Sequence, residues 1–199
     1  VATPTSGVSN TTCFGDANTS ISASVSSGET IDWYADATGG TALLSDNTNY
    51  ISSETAVGVY TYYAEARNTT TNCVSSSRLE VTYTIKANPT LSLTSAICSG
   101  DLLTYDIVFV SNGTVESSSG DVDNNAKTVT GITAGTDLTL TATLDGCTTE
   151  LQVTAPDCSC PTVATPTSGV SNTTCFGDAN TSISASVSSG ETIDWYADA

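Results

Sequence analysis

The 199-residue chain has no histidine, no methionine and only four basic residues, Arg67, Arg78, Lys86 and Lys127, against 21 acids, for a net charge of −17. Without histidine the commonest general base and metal ligand is missing. No Gly-rich nucleophile elbow or phosphate loop appears either, so a non-enzymatic role without cofactor is expected. So few cations argue against nucleic acid or an anionic membrane as partner, because both need a basic face to release counterions or meet headgroups. No run of about 20 apolar residues could span a bilayer. No basic, apolar leader opens the chain, as expected of an internal stretch of a longer protein. Leu- and Ala-rich helical stretches are absent too.

Hydroxyl groups and repetition are what the chain has in excess. Ser (28) and Thr (37) supply about a third of it. Residues 1–37 and 163–199 are identical at every position, which sets a period of 162. That is too long for a solenoid repeat of about 20–50 residues and suits one or two globular modules. The repeated stretch counts Asp178, Glu191, Asp194 and Asp198 a second time, so one period holds 17 acids and 4 cations, a charge of −13.

The dominant hydrophobic period is two, the signature of half-buried strands. It is clear in "TSISASV" (Ile21, Ala23, Val25), "TIDWY" (Ile31, Trp33), "VYTYYAEA" from Val59 and "RLEVTYTI" (Leu79, Val81, Tyr83, Ile85). Turn signals such as "SSGE", "TGG" and "SDNTN" separate these runs. The same habit continues in "TLSLT", "LTYDIVFV", "GTVESS", "KTVTGI", "DLTLTATL" and "ELQVTA". The expected fold class is all-β: immunoglobulin-like β-sandwich modules, two per period, end to end. The boundaries read as 1–86, a shorter module at 87–160, and a linker with a truncated copy of the first module at 161–199. The joints "KANPT" and "DCSCPT" are too short to be floppy linkers.

The seven cysteines, Cys13, Cys73, Cys98, Cys147, Cys158, Cys160 and Cys175, reduce to an even six per period because Cys175 is the second appearance of Cys13. Its partner is expected beyond this stretch. An even set in an acidic, histidine-free chain favours structural disulfides in an oxidising, extracellular compartment. Cys13-Phe14-Gly15-Asp16 and Cys98-Ser99-Gly100-Asp101 stand at matching places, and Cys73 and Cys147 each precede a last strand. The simplest pairing stays within modules, Cys13 with Cys73 and Cys98 with Cys147, and is the one favoured here. A strict Greek key opposes it, since it would hold those positions about 20 Å apart where a disulfide needs Cα atoms within about 7 Å. In that case Cys13 would face Cys147 across the junction, and Cys73 would face the "CSC" of the preceding period. Cys158 and Cys160 read as junction disulfides rather than a metal site, since no second C-x-C or C-x-x-C stands nearby.

Other motifs are weaker. "DVDNN" from Asp121 opens like a calcium loop but has Ala126 and Ile132 where Gly and Glu are needed. Asp16, Asp101 and Asp157 near module ends suit weak calcium binding, though solvated turn residues are the better reading. Trp33, Tyr60, Tyr62 and Tyr63 resemble a sugar platform, but alternation sends Trp33, Tyr60 and Tyr62 to the core. Asn10, Asn18, Asn68 and Asn112 head N-x-Ser/Thr sequons and predict exposed loops at most.

Taken together, "CFGD", "IDWYADATGGTALL" and "YTYYAEARNTTTNCVSSSRLEVTYTI" resemble the immunoglobulin-like repeats of large Bacteroidota surface proteins, over residues 1–86. "ICSGDLLTYDIVF" and "GITAGTDLTLTATLDGCTTELQVTAPDCSCP" are similar to the partner repeats that alternate with them. The resemblance implies export by the type IX route and service as giant adhesins or filaments, including the SprB-like adhesins of gliding motility. It implies no ligand-binding residue. The expected function is a structural repeat of an extracellular stalk or filament at the cell surface, its partners being neighbouring repeats and like filaments. Two rivals stand beside it: a multivalent module for surface glycans, and a fibre subunit assembling by strand exchange.

Overall fold

The computed structural model describes residues 1–159, 164–171, 173, 175, 179 and 182–196. Two compact units divide the chain, Val1–Asp157 and Cys158–Ala199. The described residues form strands and no helix.

The first module comprises β1 (Thr5–Val8), β2 (Asn10–Cys13), β3 (Ser20–Ser24), β4 (Glu29–Tyr34), β5 (Asn49–Ile51), β6 (Gly58–Asn68) and β7 (Leu79–Lys86). They make two sheets, β1-β3-β5 and β2-β7-β6-β4. The chain changes sheet between β1 and β2, where the Ser9 hydroxyl accepts the Thr82 amide at 3.1 Å. From there β2 runs parallel to β7, Asn10 opposite Tyr83 and Cys13 opposite Lys86. All other pairings in the module are antiparallel.

Alternation explains the core. Ile21, Ala23, Ile31, Trp33, Tyr62, Ala64, Val81, Tyr83 and Ile85 point inward from both sheets. Trp33 is fully buried, and its indole N–H donates to the Asn47 carbonyl at 2.9 Å. Tyr50 lies between it and Tyr62, with ring centroids 5.9 and 4.8 Å away. The buried Tyr62 hydroxyl is satisfied by Ser52 at 2.6 Å.

The second module comprises β8 (Leu91–Cys98), β9 (Thr104–Ser111), β10 (Thr114–Ser117), β11 (Asp121–Asp123), β12 (Thr128–Thr133), β13 (Leu138–Leu144) and β14 (Cys147–Val153). Its sheets, β11-β12-β9-β8 and β10-β13-β14, follow the four-plus-three layout of constant-type immunoglobulin domains. Tyr105, Ile107, Phe109, Val115, Val129, Ile132, Leu138 and Leu140 fill the space between. No sheet mixes strands of residues 5–86 with strands of 91–153.

In the second unit β15 (Ser168–Val170) pairs antiparallel with β16 (Ser184–Ser186). Val170 stands opposite Ser184, as Val8 stands opposite Ser22 in the first copy.

The two arginines of the first module are both used within it. Arg67 grips the buried Asp32 with two hydrogen bonds, Nε to Oδ2 at 2.7 Å and Nη2 to Oδ1 at 3.2 Å, and also bridges to Asp46. Arg78 lies over the Tyr34 ring at 3.3 Å, pairs with Glu65 at 3.1 Å, and donates to the Asp36 and Gly39 carbonyls. Burial alone would raise the Asp32 carboxyl, but the Arg67 guanidinium and the Asp46 amide outweigh it and hold it below the ordinary carboxylate value. The unfolded chain therefore takes up this proton first as the pH falls. The stabilisation is present above about pH 4 and drains away as the pH drops through the lower folded value. Asp32→Asn should cost about 1.5–3 kcal/mol at neutral pH and flatten the acid limb of stability, measured by urea unfolding between pH 2 and 7. An unchanged acid limb would remove Asp32 from this role.

Candidate functional site at the inter-module junction

Four residues, Ala87 to Thr90, separate β7 from β8, and groups from both modules hold them. The Phe14 amide donates to the Lys86 carbonyl at 2.8 Å, and the Asn88 side-chain amide donates to the Phe14 carbonyl at 3.0 Å. Pro89 is buried, and its carbonyl accepts the Thr149 hydroxyl at 2.8 Å. The Thr90 amide donates to Asn112 Oδ1 at 2.8 Å. Gly113 is required here, because an added Cβ would lie 2.6 Å from the Thr143 carbonyl oxygen and 3.2 Å from Pro89.

The second module answers with the hairpin of β13 and β14. Asp145 (φ 51°) and Gly146 (φ 86°) take the left-handed conformation at both central positions, the turn that Asp-Gly favours between twisted strands. Leu144 is left opposite Cys147. The Asp145 carbonyl accepts the Lys86 ammonium at 2.9 Å. Beside it Cys147, 1% exposed, is disulfide-bonded to Cys13 with a Cα–Cα distance of 5.6 Å, across 134 positions of sequence.

This corrects the expected pairing of Cys13 with Cys73 and of Cys98 with Cys147. Since β2 lies parallel to β7, Cys13 sits beside Lys86 at the end of β7, while Cys73 precedes the start of that strand at Leu79. Seven residues at about 3.3 Å each keep the two ends more than 20 Å apart. The second module repeats the separation, with Cys98 ending β8 and Cys147 opening β14 beside the start of β8. Cys98 and Cys158 are each disulfide-bonded. Cys73, expected in a disulfide, is an exposed free thiol in this chain; Cys175, whose partner is expected beyond this stretch, is also exposed and free. Cys160 lies outside the described residues.

The remaining sequence candidates are structural elements. Asp123 Oδ1 accepts the Asn125 and Ala126 amides at 2.8 and 3.0 Å, so "DVDNN" closes its own turn, and those bonds lower the Asp123 pKa. Asp101 is tied to the Ser99 hydroxyl and the Leu103 amide, which lower its pKa. No group of three or more His, Cys, Asp or Glu among the described residues is arranged to hold a metal. Trp33 and Tyr62 are buried, and Tyr60 packs partly buried against the same core. Asn10 is no exposed loop residue: it lies within β2, its amide bonded to the Ser20 carbonyl. Asn18 is half-buried and donates to the Ser52 and Glu54 carbonyls.

Residues 2–86 match the family model described as "Ig-like domain CHU_C associated". A search of curated proteins finds no match. The matched family, the all-β sandwiches and the disulfides support an extracellular structural or adhesive repeat, on a fold that is typically a non-catalytic scaffold.

Replacing both Cys13 and Cys147 by Ala should leave the far-UV circular dichroism of the two sandwiches intact. It should remove about 2–4 kcal/mol and split one calorimetric transition into two. Retention of a single transition would mean that the non-covalent contacts alone couple the modules.

Proposed function

We propose that the chain is one period, and part of the next, of a long extracellular stalk or filament of the SprB-like adhesin type. The string projects from the cell surface or itself forms the adhesive fibre, in gliding or in attachment. Its partners are neighbouring repeats of the same chain.

The observation that carries this reading is a disulfide between modules inside an exact repeat. Tension entering at the first strand and leaving after the last crosses from Cys13 to Cys147 through the S–S bond. The 133 residues between them are spared it, whichever sheet is weaker. A catalyst gains nothing from such a bypass, whereas a string dragged through fluid does. An acidic surface suits the same task, because like-charged strings repel and stay dispersed.

Two measurements test the proposal. The native polypeptide, fully reduced and denatured, should have the mass of many periods. A mass of one or two periods would overturn the tandem string and favour subunits joined by strand exchange. In single-molecule pulling, an oxidised period should yield only the few residues outside the staple. Reduction should release a further length of about 450 Å per period, the 134-residue separation at about 3.3–3.6 Å each. Release of that length without reduction would defeat the bypass.

A further inference from the structure

Resting on the tandem reading, we propose that Cys73 is the acceptor of a second staple and forms a disulfide with the copy of Cys160 carried by the repeat before it. Three independent features converge on that pairing.

The first is the internal precedent. Cys147 occupies, in the second module, the place of Cys73 in the first: both stand where the chain turns into the last strand, at the end where the chain enters the module. Cys147 receives its partner from the module before it.

The second is register. Along the parallel contact of the first strands with β7, Asn10 is opposite Tyr83, Ser9 bonds Thr82, and Thr3 bonds Ser77 at 2.7 Å. Followed backward one residue for one residue, the position three before Val1 falls level with Thr71 or Asn72, next to Cys73. In the sequence, the residue three before Val163, where the copy of Val1 begins, is Cys160.

The third is the state of the other cysteines and of the receiving loop. Cys13, Cys98, Cys147 and Cys158 are in disulfides, and Cys73 is exposed and free. The loop that bears Cys73 is already built: Asn68 Oδ1 accepts the Thr70 and Thr71 amides and the Thr71 hydroxyl, and the Asn68 amide donates to the Cys73 carbonyl at 2.9 Å.

The bond forms by exchange with an oxidising protein disulfide of the export compartment. The two thiols lose two protons and two electrons, one S–S bond is made, and the oxidant leaves as its dithiol. Every junction of the string would then carry a covalent link beside the backbone.

The test extends the 199-residue chain at its N-terminus by a copy of residues 149–162, in two versions. One keeps only the copy of Cys160 and has Ser for Cys158, and the other keeps only the copy of Cys158 and has Ser for Cys160. After oxidation with a glutathione disulfide buffer, native-state alkylation of Cys73 by iodoacetamide is read by peptide mass spectrometry. Labelling is expected to fall at least about tenfold in the first version, with the Cys73 peptide joined to the extension, and to stay complete in the unextended chain and in the second version. Full labelling in the first version, bonding to the Cys158 copy, or a Cys73-linked dimer would each overturn the pairing. The tandem reading itself stands or falls separately on the mass of the native polypeptide.

Discussion

The parallel seating of β2 on β7 decides where every later crosslink can go. It carries Cys13 to the end of the first sandwich from which the chain departs, and leaves Cys73 at the end where the chain arrives. Antibody domains spend their cysteines on a bond between the two sheets, against a buried tryptophan. Here the tryptophan remains, as Trp33, but Ile21, Ala23, Ala64 and Ala66 occupy the inner strands around it, and packing alone closes the sandwich. Cysteine is freed to join modules. One backbone cut anywhere between Cys13 and Cys147 would leave the two ends of the period attached, whereas a bond between the sheets of one module protects only against cuts inside its own loop.

The two copies of one 37-residue stretch form an internal control on what holds the sandwich together. Ile21 is 1% exposed and its copy Ile183 is 56% exposed; Trp33 is fully buried and its copy Trp195 is 58% exposed. Local sequence is the same, and the short pairing of the first and third strands persists in the copy. What differs is β6 and β7, which supply Tyr62, Ala64, Val81 and Tyr83 to the first copy and have no counterpart in the 199 residues for the second. The first four strands of the first copy are covered by β6 and β7, which begin 24 and 45 residues after β4 ends, as expected of a fold dominated by non-local contacts.

Alternation made the long strands legible, because a strand with one buried face must repeat its apolar residues every second position. β3, β4, β6, β7, β9, β12 and β13 lie where the pattern puts them, within a residue or two. β1, β2, β5 and β11 carried no such signal: "TSGV", "NTTC", "NYI" and "DVD" are short, mostly exposed and polar, and are held by their neighbours rather than by a core face. The favoured within-module pairing failed because the strict Greek-key separation holds: the parallel seat of β2 on β7 realises it, and Cys13 meets Cys147 as that alternative required. Six cysteines in a period allow 15 pairings, and spacing alone cannot choose among them. The Asp145-Gly146 turn has a second use, aiming Cys147 back at the preceding module, that depends on where Pro89 and Lys86 end up.

Charge completes the picture from the other side. Arg67, Arg78 and Lys86 each bind an acid or a carbonyl, and Lys127 stands 6.0 Å from the Phe109 ring. The four cations therefore lie against groups of the fold itself. Two acidic modules joined by a four-residue linker would repel one another, more strongly at low ionic strength where screening is weakest. The covalent link, with Lys86 reaching across beside it, holds them together regardless of salt. Electrostatics thus pushes the two modules apart, while the disulfide and the Lys86 contact hold them together.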